Sequence, residues 1–331
     1  MNKQRRQQVF TAIAAATGLA LFVYSVRDVW EEILTGVHRV GWGLLFILAL
    51  AGCRFVLRAE AWRLCTPVNS RLRLGQAFLA FLAGDALGNL TPLGLIASEP
   101  TKVLLTRQHL ATSESIASLA IDNLVYALSV VTMIAVGVVV MLLTVPLPFE
   151  AQEWGMITLG VLGAIGAGSL RLFRGRERSA PSSGPTLLAR LSRLRETIMA
   201  FSAGHPSRLW RAFVLDVLFH AAAVLEAYLT LNWLLGDRSP TFAQAVMFES
   251  LNRVVTVVFK FVPLRVGVDE AISRAFAPLV GINPAAGVAL AVIRKVRSLF
   301  WMGIGLAFIA FSHARVVPAR TPPESVSAHR L

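Results

Sequence analysis

Residues 115–145 read SIASLAIDNLVYALSVVTMIAVGVVVMLLTV, an apolar run that contains one charged residue, Asp122. A helix needs about 20 such residues to cross the hydrocarbon core of a bilayer. Five further runs are long and apolar enough to do the same: residues 8–26, 41–57, 154–172, 209–235 and 284–312. We therefore predict an all-α polytopic membrane protein with six full spans.

The composition agrees with this prediction. The chain has 331 residues, of which 55% are hydrophobic and 15% charged, and its mean hydropathy is +0.63. A soluble domain carries about 25% charged residues. The net charge of +13 comes from basic residues in short connections beside the apolar runs, which is typical of cytoplasmic loops rather than of nucleic-acid binding. The two cysteines and six scattered histidines predict no disulfide framework and no metal site, and we expect no cofactor.

Basic residues indicate which connections face the cytoplasm. Residues 1–6, the connection 58–75 and the long loop 173–208 are rich in Lys and Arg, whereas residues 146–153 contain two Glu and no basic residue. We expect the three basic segments and the tail 313–331 inside, and the acidic connection outside. This predicts a multi-pass protein of the bacterial cytoplasmic (inner) membrane with both termini in the cytoplasm.

Two other segments are apolar but interrupted. Segment 76–107 is broken around Pro92, and segment 241–281 is broken around Lys260 and Pro263. The predicted sides require each segment to enter and leave on one side of the membrane. Each is therefore expected to be a hairpin, either re-entrant or a pair of short helices, and the two hairpins point in opposite directions.

The two hairpins are related by a sequence repeat. Pro92 and Glu99 lie 171 residues before Pro263 and Glu270. A unit of span, span, hairpin and span then occurs twice with opposite orientation, an inverted repeat that is typical of transporters. Alternatively, Pro92 and Pro263 only kink packed helices.

The repeat predicts how the chain is divided. The first membrane repeat is expected at 1–172, with hairpin 76–107, and a cytoplasmic basic linker follows at 173–208. The second repeat begins at span 154–172, its remainder occupies 209–312 with hairpin 241–281, and a cytoplasmic tail ends the chain at 313–331.

Charged residues inside apolar segments cost on the order of 3 kcal/mol at the bilayer centre, so they mark a candidate site. Arg294 and Arg297 are three residues apart, and Arg253 and Lys260 are seven apart, so each pair is expected on one helix face. The planar guanidinium of arginine suits phosphate oxygens, which predicts a pocket for an anionic lipid head group. Alternatively, these arginines form structural ion pairs with Glu249, Asp269, Glu270 or Asp122. The candidate substrate-binding residues are Pro92, Glu99, Lys102, Asp122, Arg253, Lys260, Pro263, Glu270, Arg294 and Arg297.

Asp216 and His220 lie at positions i and i+4 of one predicted span. At this spacing the carboxylate can orient the imidazole, which makes the pair a candidate proton relay. The alternative is a polar contact that only satisfies two buried groups.

A resemblance to a known family is carried by two motifs. The first is Thr91-Pro92-Leu93-Gly94 followed by Ser98-Glu99-Pro100-Thr101-Lys102-Val103-Leu104-Leu105, and its counterpart is Phe261-Val262-Pro263 followed by Gly267-Val268-Asp269-Glu270, with Gly281 and Arg294 downstream. Together they resemble the flippase-like transmembrane family named for the membrane part of lysylphosphatidylglycerol synthase, over residues 10–312. The resemblance implies a lipid-translocating membrane domain whose recurrent polar positions fall on Pro92, Glu99, Lys102, Pro263, Glu270 and Arg294.

The sequence departs from the family pattern at two places. Leu95-Ile96-Ala97 replaces a more glycine-rich run, and Asp122-Asn123 replaces Glu-Arg. These departures bear on the substrate more than on the fold. Because the last predicted span ends at residue 312 and the chain at residue 331, we expect the aminoacyl-transfer domain of the synthase to be absent.

These features favour a transporter, not an enzyme, that moves an anionic phospholipid or lipid-linked precursor between leaflets. The alternatives are an accessory membrane subunit of a lipid-modifying enzyme and a membrane-embedded transferase. The sequence contains no Asp-x-Asp motif and no nucleotide-binding loop, which argues against a transferase and against ATP as the energy source. The expected partners are an anionic lipid head group and membrane lipids, and no nucleic acid.

Overall fold

The computed structural model describes residues 30–91, 95–174, 187–236 and 239–313. In these residues the chain forms eleven α-helices, two short 3₁₀-helices and no strand. The helices are α1 Trp30–Val40, α2 Gly43–Leu64, α3 Leu74–Leu90, α4 Leu95–Thr106, α5 Thr112–Thr144, α6 Phe149–Arg174, α7 Leu187–Gly204, α8 Pro206–Leu235, α9 Phe242–Val258, α10 Val268–Phe276 and α11 Pro284–His313. The 3₁₀-helices are Pro263–Arg265 and Ala277–Val280. The all-helical prediction is confirmed for the described residues.

Each predicted span within the described residues falls on one long helix. Spans 41–57, 115–145, 154–172, 209–235 and 284–312 correspond to α2, α5, α6, α8 and α11. Two of these helices, α5 and α8, are clearly long and apolar enough to cross a membrane. The predicted span 8–26 and the tail residues 314–331 lie outside the described residues.

The first of these helices is longer than predicted. The sequence placed Arg58 in a cytoplasmic connection, but α2 continues to Leu64 and Arg58 is buried inside the protein. This part of the prediction is wrong because Arg58 finds carboxylate partners on two other helices. A charge that is paired in this way no longer marks the end of a span.

The two interrupted segments are pairs of short helices. Segment 76–107 contains α3 and α4, which pack on each other, and segment 241–281 contains α9 and α10. Helices α4 and α10 have 12 and 9 residues, which at 1.5 Å per residue gives about 18 and 14 Å. Both are shorter than the hydrocarbon core of about 30 Å. The first break includes Pro92, which lies outside the described residues.

The second break has a clear local cause. Helix α9 ends at Val258, and Pro263, which has no N–H to resume a helix, begins the first 3₁₀-helix. Leu264 and Arg265 then adopt left-handed backbone conformations, with φ of 52° and 48°, and Gly267 follows with φ of 81°. Helix α10 starts at once, because the Gly267 N–H donates to the Glu270 carboxylate at 2.8 Å, which is the N3 half of a capping box.

The helices form one bundle whose outer faces are apolar. Helix α2 packs on α8, α3 packs on α11, and α5 packs on α9. The core between them contains fully buried large side chains, among them Ile47, Phe248 and Leu290. Large apolar side chains of α5, α6 and α8 are instead exposed, including Leu143, Ile157 and Leu218. Such a surface is expected where helices meet lipid rather than water.

The segment predicted as a basic linker, 173–208, is partly helical. Helix α7 occupies Leu187–Gly204 and packs on α5 and α6. Residues 175–186, which include the Ser- and Pro-rich centre of the segment, lie outside the described residues.

Candidate functional site

Two adjoining cavities lie among the central helices. The first has a volume of about 190 Å³ and the second about 220 Å³. Together they reach the size typical of small-molecule sites, roughly 300–1,000 Å³, and we refer to the pair as the cleft. The wall that both cavities share is formed by Phe55, Asp85, Asn89, Tyr126, Phe219, Thr256, Leu264 and Arg265.

The charged side chains that line the cleft are mainly basic. Those of the first cavity are Arg54, Arg253, Arg265, Arg294, Lys295 and Arg297. Those of the second are Arg58, Lys102, Lys260 and Arg265. The acidic side chains on the walls are Asp85, Glu99 and Asp269. Most of these basic side chains are paired with carboxylates that lie on or behind the walls.

Glu249 holds two of the predicted arginines in place. Arg294 Nη2 donates to Glu249 Oε2 at 2.8 Å, and Arg253 Nε donates to Oε1 at 2.7 Å. Arg253 also donates to the hydroxyl of Tyr126 at 3.3 Å. Arg253 and Glu249 are one turn apart on α9, whereas Arg294 comes from α11. These arginines are therefore ion-paired, as one interpretation of the sequence expected, and they also line the first cavity.

Glu226 of α8 holds a second pair of arginines. Arg54 Nη1 donates to Glu226 Oε2 at 2.6 Å, and Arg297 Nη1 donates to the same oxygen at 3.0 Å. The Nε atoms of both arginines are buried and have no hydrogen-bond partner among the described residues. The prediction that Arg294 and Arg297 share a helix face is confirmed, because both lie on α11 and line the first cavity.

Asp122 lies behind the cleft rather than on its walls. Arg58 Nη2 donates to Asp122 Oδ2 at 2.8 Å, and Arg58 Nη1 donates to Asp216. The guanidinium also stacks over the ring of Tyr126, 4.2 Å from its centroid. All three charged side chains are buried. The structure thus gives Asp122 the role of a counter-ion to a cavity-lining arginine.

Glu270 also lies away from the cavity walls. It is fully buried, caps α10 through Gly267, and accepts a hydrogen bond from Lys295 Nζ at 2.6 Å. Its neighbour Asp269 accepts from Arg265 at 3.1 Å and lines the first cavity. These contacts tie α10 to α11 and fix the second hairpin.

The first hairpin contributes Glu99 and Lys102 to the second cavity. Lys102 Nζ lies 3.0 Å from Glu99 Oε1 and 4.4 Å from the centroid of the Phe81 ring. The other carboxylate oxygen, Oε2, is buried and has no partner within the described residues. Lys260 lines the same cavity. The prediction that Lys260 shares a helix face with Arg253 is wrong, because α9 ends at Val258 and Lys260 lies beyond it.

Asp216 and His220 have different partners. The Asp216 carboxylate accepts from Arg58, and His220 Nε2 lies 3.2 Å from Ser129 Oγ with its ring stacked on Tyr126. Within the described contacts no hydrogen bond joins the two residues, and neither lines the cleft. The prediction that the carboxylate orients the imidazole is therefore not realised in this structure.

The structure brings six of the predicted residues to the cleft: Glu99, Lys102, Arg253, Lys260, Arg294 and Arg297. Pro263 starts the break that places Leu264 and Arg265 on the wall. Sequence reasoning missed Arg54 and Arg58 as residues of the site. Their spacing of four residues puts them on one face of α2, and this spacing could have identified them. In the described parts of the chain, no group of three His, Cys, Asp or Glu side chains is arranged to hold a metal ion.

Comparison with known proteins gives one match. A family model described as "Lysylphosphatidylglycerol synthase TM region" matches residues 9–307. Searches of the curated proteins and of the solved structures found no match. The resemblance found in the two hairpin motifs is confirmed, and the match covers both hairpins and all the residues of the cleft.

Proposed function

The chain belongs to the family of the lysylphosphatidylglycerol synthase transmembrane region, and from this we propose that it moves an anionic phospholipid or lipid-linked precursor between leaflets. The family is a membrane domain associated with lipid-related functions. The observation that carries the proposal is the cleft, in which basic side chains from both hairpins and from α2 and α11 converge inside a bundle with apolar outer faces. A charged head group can enter such a cleft while its acyl chains stay outside, in lipid.

We further propose that the bundle is an inverted repeat. Helices α2 to α5 and α8 to α11 follow the same order, and α3 and α9 both have 17 residues. The contact of α3 with α11 has its counterpart in the contact of α9 with α5. This pattern supports two related halves whose hairpins approach the cleft from opposite sides, as alternating access requires.

The ion pairs suggest how the cleft avoids the free-energy cost of buried, unpaired charges before a head group binds. Each arginine pair shares one carboxylate, Glu249 for Arg253 and Arg294, and Glu226 for Arg54 and Arg297. An incoming phosphate can take over part of this pairing, because guanidinium groups have several donors. The cleft thus stays neutralised before, during and after the passage of the head group.

The remaining parts of the proposal follow from this role. The chain acts as a transporter rather than an enzyme, spans the bacterial inner membrane several times, and has both termini in the cytoplasm. Its ligand is the anionic head group, and the surrounding membrane lipids contact the apolar faces of α5, α6 and α8. The basic connections on one side and the acidic connection at 146–153 support this orientation.

The test is leaflet exchange of fluorescent lipids in proteoliposomes, read with a membrane-impermeant quencher. Fluorescent phosphatidylglycerol and phosphatidylcholine are compared, with protein-free vesicles as the blank. We expect faster exchange of phosphatidylglycerol than of phosphatidylcholine, and about a tenfold slower exchange of phosphatidylglycerol in Arg294→Ala. Folded protein that exchanges neither lipid, nor a polyprenyl-phosphate analogue, would refute the proposal and favour an accessory subunit.

A further inference from the structure

Arg58, Asp122 and Asp216 form a buried cluster with more negative than positive charge. Arg58 Nη2 donates to Asp122 Oδ2 at 2.8 Å, and Nη1 donates to Asp122 Oδ1 at 3.3 Å and also to Asp216 Oδ1. The three side chains are at most 5% exposed. One guanidinium therefore serves two carboxylates, and with both ionised the cluster has one net negative charge. One bound proton would make it neutral.

Asp216 is the less well supported carboxylate of the cluster. Asp122 accepts from Arg58 through both of its oxygens, whereas Asp216 accepts through Oδ1 alone. Its Oδ2 is buried and has no hydrogen-bond partner among the described residues. A buried carboxylate that loses its partner is costly, and the protonated, neutral acid is much less so. Asp216 therefore depends on Arg58 to remain ionised.

The groups around the cluster do not replace Arg58. Its titratable neighbours are Tyr126 of α5, His220 of α8 and Cys65 after α2. Helix α7 faces α8 with apolar side chains. The charged or titratable groups on or near the other helices that pack around α8 are Lys102 and Glu99 of α4, Arg54 and Glu226, Glu249 and Arg253 of α9, Arg294 and Arg297 of α11, Arg39 of α1, and His205 and Arg208 at the start of α8. Each of these lysines and arginines has a carboxylate or carbonyl partner of its own, so Arg58 is the cation on which Asp216 depends.

Arg58 also connects this cluster to the cleft. It lines the second cavity, whereas Asp122 and Asp216 do not. An anionic head group in that cavity therefore meets the guanidinium first, with the two carboxylates behind it. Because Asp122 holds the guanidinium through both oxygens, Arg58 can turn towards a phosphate, keep Asp122 as a partner and release Asp216.

Resting on the proposed function, we propose that Arg58, Asp122 and Asp216 form a proton site coupled to the cleft, in which Asp216 takes up one proton when an anionic head group binds. The phosphate replaces Asp216 as a partner of Arg58, and a proton passes from water to the Asp216 carboxylate as the guanidinium turns away. The head group brings one negative charge and the proton one positive charge, so the buried net charge is unchanged. When the head group leaves, Arg58 returns to Asp216 and the proton is released. This coupling makes a transmembrane proton gradient a source of energy for the proposed transport.

The experiment measures proton uptake by calorimetry. The purified full-length chain in detergent is titrated with dihexanoyl phosphatidylglycerol at about pH 7.5, in buffers that differ in their enthalpy of ionisation. The dependence of the binding enthalpy on the buffer gives the number of protons taken up for each ligand bound. A phosphodiester has no second proton to exchange, so the uptake reports on the protein.

Three variants locate the proton. Asp216→Asn keeps an acceptor oxygen for Arg58 but cannot take up a proton. His220→Gln removes the neighbouring imidazole, which is the other group that could accept it. Glu60→Gln is the matched control, because Glu60 is a carboxylate of α2 that pairs with Arg63 and does not line the cleft.

We expect the unchanged protein to take up about one proton for each ligand, and its affinity to fall about tenfold from about pH 7 to about pH 8. Asp216→Asn should take up no proton and lose this pH dependence, while Glu60→Gln and His220→Gln should behave like the unchanged protein. Binding without proton uptake would overturn the site, as would uptake that persists in Asp216→Asn or is lost in His220→Gln. If Asp216→Asn does not fold, the unchanged protein and His220→Gln decide.

The outcomes separate the proton site from the proposed function. Proton uptake that is lost in Asp216→Asn, together with no leaflet exchange by the unchanged protein, leaves the proton site standing and removes the transport function. Leaflet exchange together with binding that takes up no proton leaves the transport function standing and removes the proton site. Folded protein that does not bind dihexanoyl phosphatidylglycerol also overturns the proton site, whether or not it exchanges lipid.

Discussion

Arg58 of α2 and Asp216 of α8 are joined by a buried ion pair. Arg58 is also paired with Asp122 of α5 at 2.8 Å, so one guanidinium neutralises carboxylates from two other helices. The three side chains are at least 95% buried. This contact links three long helices directly behind the second cavity, and Arg58 itself lines that cavity.

The first prediction concerns stability. Arg58→Met removes the cation and leaves two carboxylates buried without their partner, which costs about 3–5 kcal/mol for a broken buried pair. We expect a marked fall in the thermal unfolding midpoint in detergent. Arg63→Met is the control, because the exposed pair of Arg63 with Glu60 is worth less than about 1 kcal/mol. Equal midpoints for the two variants would show that the buried network does not stabilise the fold.

The helical architecture could be read from the sequence because it depends on local properties. The run at 115–145 is longer and more apolar than a soluble helix needs, and the breaks at Pro92 and Pro263 interrupt two other runs. Hydropathy and proline report these features directly. The end of α2 was misplaced because hydropathy scores a paired and an unpaired arginine alike, and Arg58 is paired only through residues far along the chain.

The candidate site was predicted only in part, because the sequence shows which residues are charged but not how the helices pack. The basic residues of α9 and α11 were found because charge in an apolar segment is conspicuous by itself. Which of these residues face the cleft depends on helix packing, which one sequence does not show. Asp216 and His220 illustrate this, because a spacing of four residues allowed a contact between them but Arg58 and Ser129 are their actual partners.

The second prediction concerns the charge of the transported lipid. Arg294→Ala removes one cation from the first cavity while Arg253 still neutralises Glu249. The protein is therefore expected to fold, and exchange of phosphatidylglycerol should fall by about tenfold, more than that of phosphatidylcholine. Leaflet exchange in proteoliposomes measures both, with Arg63→Ala as the matched control. An equal loss for the two lipids would mean that Arg294 is structural.

The third prediction separates the two hairpin glutamates, which the sequence repeat treats as equivalent. Glu99 lines the second cavity and has a free oxygen, whereas Glu270 is fully buried, caps α10 and pairs with Lys295. Glu99→Gln is therefore expected to reduce leaflet exchange at unchanged stability. Glu270→Gln should lower the thermal midpoint as well, because the neutral amide has one acceptor oxygen for two buried donors, the Gly267 N–H and Lys295 Nζ, and no charge to offset that of Lys295. Two variants with the same midpoint would contradict this distinction.

The fourth prediction concerns Asp85, which lines both cavities. Its carboxylate accepts from Asn89 at 2.9 Å, and among the described residues it forms no ion pair. A like charge about 8 Å from a bound anion costs about 2 kcal/mol at an effective dielectric constant of about 20. Asp85→Asn should therefore tighten binding of dihexanoyl phosphatidylglycerol by about thirtyfold, as measured by calorimetry. Glu60→Gln serves as the control, because Glu60 lies on the far side of α2 from the cleft. Weaker binding in Asp85→Asn would contradict this prediction and would indicate that the carboxylate contacts the head group.

The last prediction tests the contact between α5 and α9. Gly137 of α5 lies against Ser250 of α9, and a Cβ at Gly137 would come within 1.9 Å of Ser250 Oγ. Close helix contacts in membranes depend on small residues of this kind. Ser250 in turn donates to the carbonyl of Met133 at 2.6 Å and follows Glu249 directly in the chain. A larger residue must therefore push away the part of α9 that carries Glu249, the partner of Arg253 and Arg294.

Gly137→Ala should accordingly cost about 1–3 kcal/mol of stability, as overpacking does, and should slow leaflet exchange as well. The thermal midpoint and the exchange rate are measured on the same preparation. Gly160→Ala is the control, because a Cβ at that position on α6 meets nothing within 4 Å. The Cβ of Ser250 would itself lie 2.2 Å from the added Cβ, so no rotamer of Ser250 relieves the clash. Gly137→Ala combined with Ser250→Gly should therefore recover both stability and transport. A double variant as impaired as Gly137→Ala alone would show that the clash lies elsewhere and that this helix contact does not position Glu249.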